Sequence, residues 1–141
     1  MILLDTNVIS EMRKIGLGRA NVNVQAWASS IDVSQTYLSS VVIGELYYGV
    51  LLKQYNRDLV QAEQLKHWIM TLIESYDGRI LDVDTKVAAT YAKLQVPNPK
   101  SPNDSYIGAT AIAYNLTLAT RNIKDFSGMP VKLINPFEYQ A

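Results

Sequence analysis

Cysteine is absent from the 141 residues, and histidine occurs once, as His67. These absences exclude disulfide frameworks, thiolate-bound zinc, iron–sulfur clusters, thiol catalysis and the histidine-rich zinc sites of many hydrolases. Excess charge is missing too. Thirteen Lys and Arg stand against 13 Asp and Glu, so no overall field draws the chain to nucleic acid or to an anionic membrane. Any contact with a polyanion must be local. The amino-terminal apolar run Ile2-Leu3-Leu4 is broken by Asp5, so it does not read as a leader, and the expectation is a cytoplasmic protein with no membrane contact. Proline is scarce, and three of the five fall in one segment, Pro97, Pro99 and Pro102. What is present, 48% hydrophobic and 18% charged residues, is the composition of one folded domain over residues 1–141 whose core needs no crosslink.

Short apolar runs alternate with longer segments of helical period, the pattern of an α/β domain with a mostly parallel sheet. Strands are expected at Ile2–Leu4, Thr36–Ser39, Arg79–Val83, Thr117–Ala119 and, at an edge, Val131–Ile134. Helices are expected at Val8–Lys14, Val22–Ser30, Val41 to about Lys53, Arg57–Ser75, from Asp84 through Leu94, and Pro102 to about Asn115. Ser39 or Ser40, Asp84 and Ser101 are the expected helix caps. The long helix carrying Leu59, Leu65, Trp68, Ile69, Leu72 and Ile73 reads as core or dimer surface, with His67 as a packing residue. Tyr47, Tyr48 and Tyr114 also fall at core-like positions.

Four places carry chemistry. Asp5 follows the first strand at its carboxyl end, the edge at which open parallel sheets bind ligands; it is equally suited to capping the next helix. Glu45 is the only charge in Val41–Leu52, and a lone carboxylate in such a helix is costly unless it is protonated, paired or bound to a cation. Asp104 occupies the first turn of a helix opened by Ser101 and Pro102, where a capping acid is also at home. The segment Thr120-Arg-Asn-Ile-Lys-Asp125 leaves the strand Thr117–Ala119 at the edge that holds Asp5, which makes Asn122 and Asp125 candidates. Each residue alone has a bland explanation, and their convergence on one sheet edge is the argument. Clustered carboxylates raise one another's pKa and persist at neutral pH mainly around a hard divalent cation. An all-oxygen ligand set favours Mg²⁺ or Mn²⁺, and the corresponding chemistry is phosphodiester hydrolysis, with Thr6, Asn7, Thr120 and Asn122 available to orient water.

The stretches Met1–Ser10, Ser40-Val-Val-Ile-Gly-Glu-Leu46, Asp104–Ala111 and Thr120–Phe126, taken in order, resemble the PIN-domain family and, within it, the VapC or FitB type of toxin ribonuclease. The resemblance implies a three-layer fold with a central, mostly parallel sheet of about five strands flanked by helices. It also implies a Mg²⁺- or Mn²⁺-dependent endoribonuclease that is the toxin of a type II toxin–antitoxin pair, assembled as a homodimer and held by a small cognate antitoxin. Asp5 and Asp104 would bind metal, Glu45 and Asp125 would complete the catalytic acids, and Thr6, Asn7, Thr120 and Asn122 would support them. Many relatives carry an acid directly after the Thr-Arg pair, where this chain has Asn122. For RNA, the nearby cations are Arg13, Lys14, Arg121 and Lys124, each of which taken singly reads as solvated surface charge.

Two rival functions are weighed against this one. A phosphotransferase with Asp5 as covalent nucleophile calls for a second Asp two residues on, where this chain has Asn7. A catalytically impaired PIN-like scaffold that binds RNA or regulates a partner rests on Asn122 alone.

Overall fold

The computed structural model describes residues 1–141. Five strands are present: β1 (Ile2–Leu4), β2 (Thr36–Ser39), β3 (Ile80–Leu81), β4 (Thr117–Ala119) and β5 (Leu133–Ile134). The helices are α1 (Thr6–Arg13), α2 (Val22–Ser30), α3 (Ser40–Tyr55), α4 (Leu59–Ser75), α5 (Thr85–Leu94) and α6 (Pro102–Ala113). The sheet order is β3-β2-β1-β4-β5, and every pairing is parallel. Neighbouring residues of a strand point to opposite faces, yet Leu3 and Leu4 are both fully buried, as are Leu118 and Ala119. Both faces of the sheet are therefore covered by helices, which gives the three layers expected.

Side-chain caps set the helix starts. Asp5 accepts from Thr6 N, Ser39 from Val41 N, Asp58 from Gln61 N and Asp84 from Val87 N. Because Asp5 itself is the cap, α1 begins at Thr6 rather than at Val8. The long helix begins at Leu59 rather than Arg57, because Arg57 adopts φ 61°, outside helical space, and Asp58 restarts the chain. Ser101 stands at the cap position of α6, but its side chain accepts no capping hydrogen bond; Pro102 at the first helical position starts the helix without it. β3 and β5 are two residues each, shorter than the runs expected, since each pairs with only two residues of its single neighbour.

Two expectations about burial fail. With Glu45 its only charge over Val41–Leu52, α3 reads as a helix apolar and covered nearly all round, but Gly44, Tyr48, Leu51, Leu52 and Tyr55 form an exposed face, with Tyr48 57% and Tyr55 85% accessible. The helix packs on β2 and α4 and runs on past the short sheet, so its outer side meets solvent. His67 is likewise exposed, on the outer side of α4. A part-buried polar tie that local sequence does not announce holds this half together. The Arg79 guanidinium donates to the carbonyls of Val33 (3.0 Å), Thr36 (2.7 Å) and Ser75 (2.9 Å), stitching the end of α4 to the start of β2.

Candidate active site

The strand order reverses around β1: β2 lies on one side of it and β4 on the other. The crevice at the carboxyl ends of β1 and β4 is thus the switch point, where open α/β sheets accept ligands. Asp5 and Thr120 are the first residues past those two strands. Asp5 is 5% exposed, and its N–H still bonds the Ala119 carbonyl at 2.9 Å, so the ladder fixes its backbone.

The Asp5 carboxylate is held at both oxygens. Oδ1 accepts from Thr6 N at 2.8 Å, and Oδ2 accepts from Thr120 Oγ1 at 2.7 Å and Asn7 Nδ2 at 3.3 Å. Asn7 is itself clamped, its Oδ1 accepting from Arg121 N at 3.0 Å, while Thr120 Oγ1 accepts from Asn122 N at 3.0 Å. Glu45, on α3, accepts from Thr6 Oγ1 at 2.7 Å and from Asn103 Nδ2 at 3.4 Å, and pairs with no cation; the one ion pair of the chain is Lys14–Glu11. Asp104, part-buried in the first turn of α6, accepts no hydrogen bond, so it does not serve as a cap.

The electrostatics follow from this crowding. Burial pushes the Asp5 pKa up, the Glu45 charge adds to it, and the Thr120, Thr6 and Asn7 donors oppose it. Burial and the charges of Asp5, Asp125 and Glu45 push Asp104 up to about 6. Asp104 therefore feels the charges of the other three acids, and Asp5 feels that of Glu45. The four do not form a ready-made cage of three carboxylates around one point. Mg²⁺ and Mn²⁺ do not require one: Mg²⁺ keeps several waters and is commonly held by one or two carboxylates plus substrate oxygens. An all-oxygen set with bare Asp104 and no compensating base fits such an ion.

The remaining candidates divide by position. Asn122, Asp125, Arg121 and Lys124 line one cavity of about 510 Å³, together with Asn135 and Glu138. Asp125 is exposed on the 3-10 turn Ile123–Phe126, and Arg121 lies over the Phe137 ring at 4.6 Å. Arg13 and Lys14 are not brought to this place. They stand at the far end of α1, about 10 Å along its axis, with Arg13 5.5 Å from the Trp68 ring centroid and Lys14 paired with Glu11 at 3.1 Å. Asn103, which bonds Glu45, was not singled out from sequence. Its place beside Asp104 in a first helical turn was the available signal.

Comparison with known proteins agrees with the topology and with the motifs. Residues 2–131 match the family model of the PIN domain. Toxin FitB of Neisseria gonorrhoeae is 38% identical over 143 residues, spanning 97% of this chain and 99% of its own. VapC ribonuclease Y4jK of Sinorhizobium fredii is 33% identical, spanning 98% and 99%. The crystal structure of FitAcB from Neisseria gonorrhoeae superposes with a TM-score of 0.78 at 37% identity, covering 98% of this chain and 99% of that one. With the family model spanning nearly the whole chain and an acid-lined switch point in an all-parallel sheet, this protein belongs to the PIN-domain family.

Proposed function

We propose that the chain is a metal-dependent endoribonuclease, the toxin of a type II toxin–antitoxin pair, with Asp5 and Asp104 as ligands of Mg²⁺ or Mn²⁺. The observation that supports this reading is that Asp104, bare of any hydrogen bond, lies within reach of the charges of Asp5, Asp125 and Glu45 while no basic side chain is bonded to any of the four. Such a divalent ion, when bound, offsets the carboxylate charge, polarises a phosphoryl oxygen and makes water acidic enough to act as nucleophile.

The chain's own residues do the rest. Thr120, Thr6 and Asn7 hold Asp5 in one orientation and favour its ionised form, so the ligand is set before substrate arrives. Thr6 passes that order to Glu45, whose carboxylate can accept a proton from water directed at the phosphorus. Asp125 acts from the exposed turn through an intervening water, and Asn122 beside it orients that water. Arg121 and Lys124, on the same cavity, take the RNA phosphates leading away from the cut. The impaired-scaffold alternative rests on Asn122, and the supply of a fourth acid by Asp125 three residues later weighs against it.

The partners come from the same reading, because relatives carry the names toxin and VapC ribonuclease. A cognate antitoxin places a basic side chain among the acids, where a guanidinium answers clustered carboxylates well. The apolar face of α3 and the start of α4, with Leu51, Tyr55, Leu59 and Val60 more than half exposed, offers it an anchoring surface. The toxin is a homodimer in this proposal. The test is cleavage of single-stranded RNA in Mg²⁺ or Mn²⁺. Chelator and Asp5→Asn should each abolish it, and RNA binding without cleavage in either metal would replace the enzyme with the scaffold.

A further inference from the structure

Beside the acids, and not needed to hold a metal, lies an open cleft of about 760 Å³ lined by Thr6, Val41, Gly44, Glu45, Tyr48 and Asn103. That volume is in the range of small-ligand sites. Three features of it are unexplained by the metal chemistry. Tyr48, on the outer side of α3, leaves 57% of its surface in water where it lines the cleft. Gly44, one turn earlier on the same face, opens onto free space: a Cβ there would meet no atom within 4 Å. Asn103 uses one amide hydrogen on Glu45 Oε2, which leaves its second N–H and its Oδ1 free.

We propose that this cleft holds one unpaired base of the RNA substrate, stacked on Tyr48 and read at its edge by Asn103, with adenine favoured over uracil. The inference rests on the ribonuclease reading and deepens it by naming a specificity pocket. Glu45 links the two places, bonding Thr6 of the acid cluster through one oxygen and Asn103 of the cleft through the other. A phosphodiester at the acids therefore delivers an adjoining base to the cleft, while Arg121 and Lys124 lie in the separate cavity that holds Asp125. An exposed aromatic ring beside a backbone without a Cβ is a stacking platform for a flat ring. The free donor and acceptor of Asn103 match the amino group and ring nitrogen of adenine. The carboxylate of Glu45 welcomes an exocyclic amine and repels the carbonyl oxygens that uracil presents.

The test compares hexaribonucleotides that differ only in adenine or uracil next to the cut, using the whole chain with Mn²⁺. Tyr48→Ala should raise KM about tenfold or more, with a far smaller change in kcat, and Tyr48→Phe should restore it, because stacking needs the ring and not the hydroxyl. Asn103→Ala should lower the adenine-to-uracil ratio of kcat/KM severalfold, leaving the share set by Glu45, a ratio that general damage leaves in place. Independently of turnover, 2-aminopurine at that position should be quenched on mixing with wild type and Tyr48→Phe but not with Tyr48→Ala. Equal KM and equal quenching for Tyr48→Ala overturn the pocket while leaving the nuclease standing. Failure of wild type to cleave any hexamer overturns the reading on which the pocket rests. If Tyr48→Ala loses antitoxin binding and keeps its RNA parameters, the cleft is a protein groove and the proposal is wrong.

Discussion

Replacing Asp104 by asparagine keeps the side chain's size and removes its charge, and the site predicts that the metal-free protein becomes more stable. Asp104 titrates at about 6 instead of its ordinary 3.8, raised by burial and by Asp5, Asp125 and Glu45. At about 1.4 kcal/mol for each tenfold change, the full difference is about 3 kcal/mol. Asp104 is only part-buried, so solvent and salt screening reduce this to about 1 kcal/mol. The sign follows from linkage. A carboxyl whose folded pKa is raised favours the fold while protonated, below about 3.8, and loses that contribution as pH rises through about 6. At pH 7.5 the ionised group opposes folding, and Asp104→Asn should raise the melting temperature by about 3 °C in chelator. The gap should close as the pH approaches 4. Adding Mg²⁺ should reverse the order, because binding stabilises the wild type in proportion to ligand over its dissociation constant and the variant has lost a ligand. Differential scanning calorimetry at pH 4, 6 and 7.5, with chelator and with Mg²⁺, reads all of this. A lower melting temperature for Asp104→Asn in chelator at pH 7.5, or an undiminished response to Mg²⁺, would refute the crowding argument or the ligand assignment respectively.

Thr120→Val removes the 2.7 Å donor to Asp5 Oδ2 without changing shape, so the Asp5 pKa rises further; the acid limb of the pH–rate profile should move to higher pH, and stability should fall by about 2 kcal/mol in urea melts. Arg79→Ala removes a guanidinium that donates to three carbonyls, of which that of Val33 keeps its Thr36 donors, and should cost about 2 kcal/mol by chemical denaturation, with specific activity of the folded fraction retained. Arg79→Lys should recover only part of that loss, since one ammonium cannot span the fork. Gly108→Val should destabilise through overpacking, because a Cβ there lies 2.6 Å from Met129 Sδ and 3.6 Å from Phe126 Cδ1. Because Phe126 and Met129 follow Asp125, that variant should also lower activity, and a near-wild-type melt with full activity would show that α6 does not brace the turn.

The strands and helix starts were legible because their signals are local. Asp5, Ser39 and Asp84 precede apolar runs, and a short polar side chain there caps a helix whatever surrounds it, whereas Asp58, the cap of α4, lies inside the stretch that reads as helix from Arg57. The acids were legible as anomalies: Glu45 alone among apolar residues, Asp5 at the end of a strand. What sequence could not supply was the outer boundary of the molecule. Leu51, Leu52 and Tyr55 are as apolar as Val42 and Leu46 of the same helix, but only the latter face the sheet. Hydropathy records what a side chain would gain by burial, not whether anything lies over it. Arg79 was invisible for a related reason. Its partners are backbone carbonyls, of which one belongs to Val33, 46 residues earlier, and carbonyls carry no sequence signature.

The arrangement also explains why the acids sit where the backbone is most constrained. Three like charges drawn from the end of β1, α3 and α6 work against the fold, and each is carried by an element whose position is set elsewhere: Asp5 by its bond to Ala119, Glu45 by α3 packed on α4, Asp104 by α6 packed on α5. A site on loose loops would relieve the repulsion by moving apart. Held in place, the carboxylates can lower their energy only by taking up protons or by binding a cation, and at neutral pH the proposed ion is the stronger competitor. Affinity for the ion and instability of the empty site thus have a common origin. Substitutions that stabilise the metal-free chain at Asp5 or Asp104 should weaken ion binding in the same rank order.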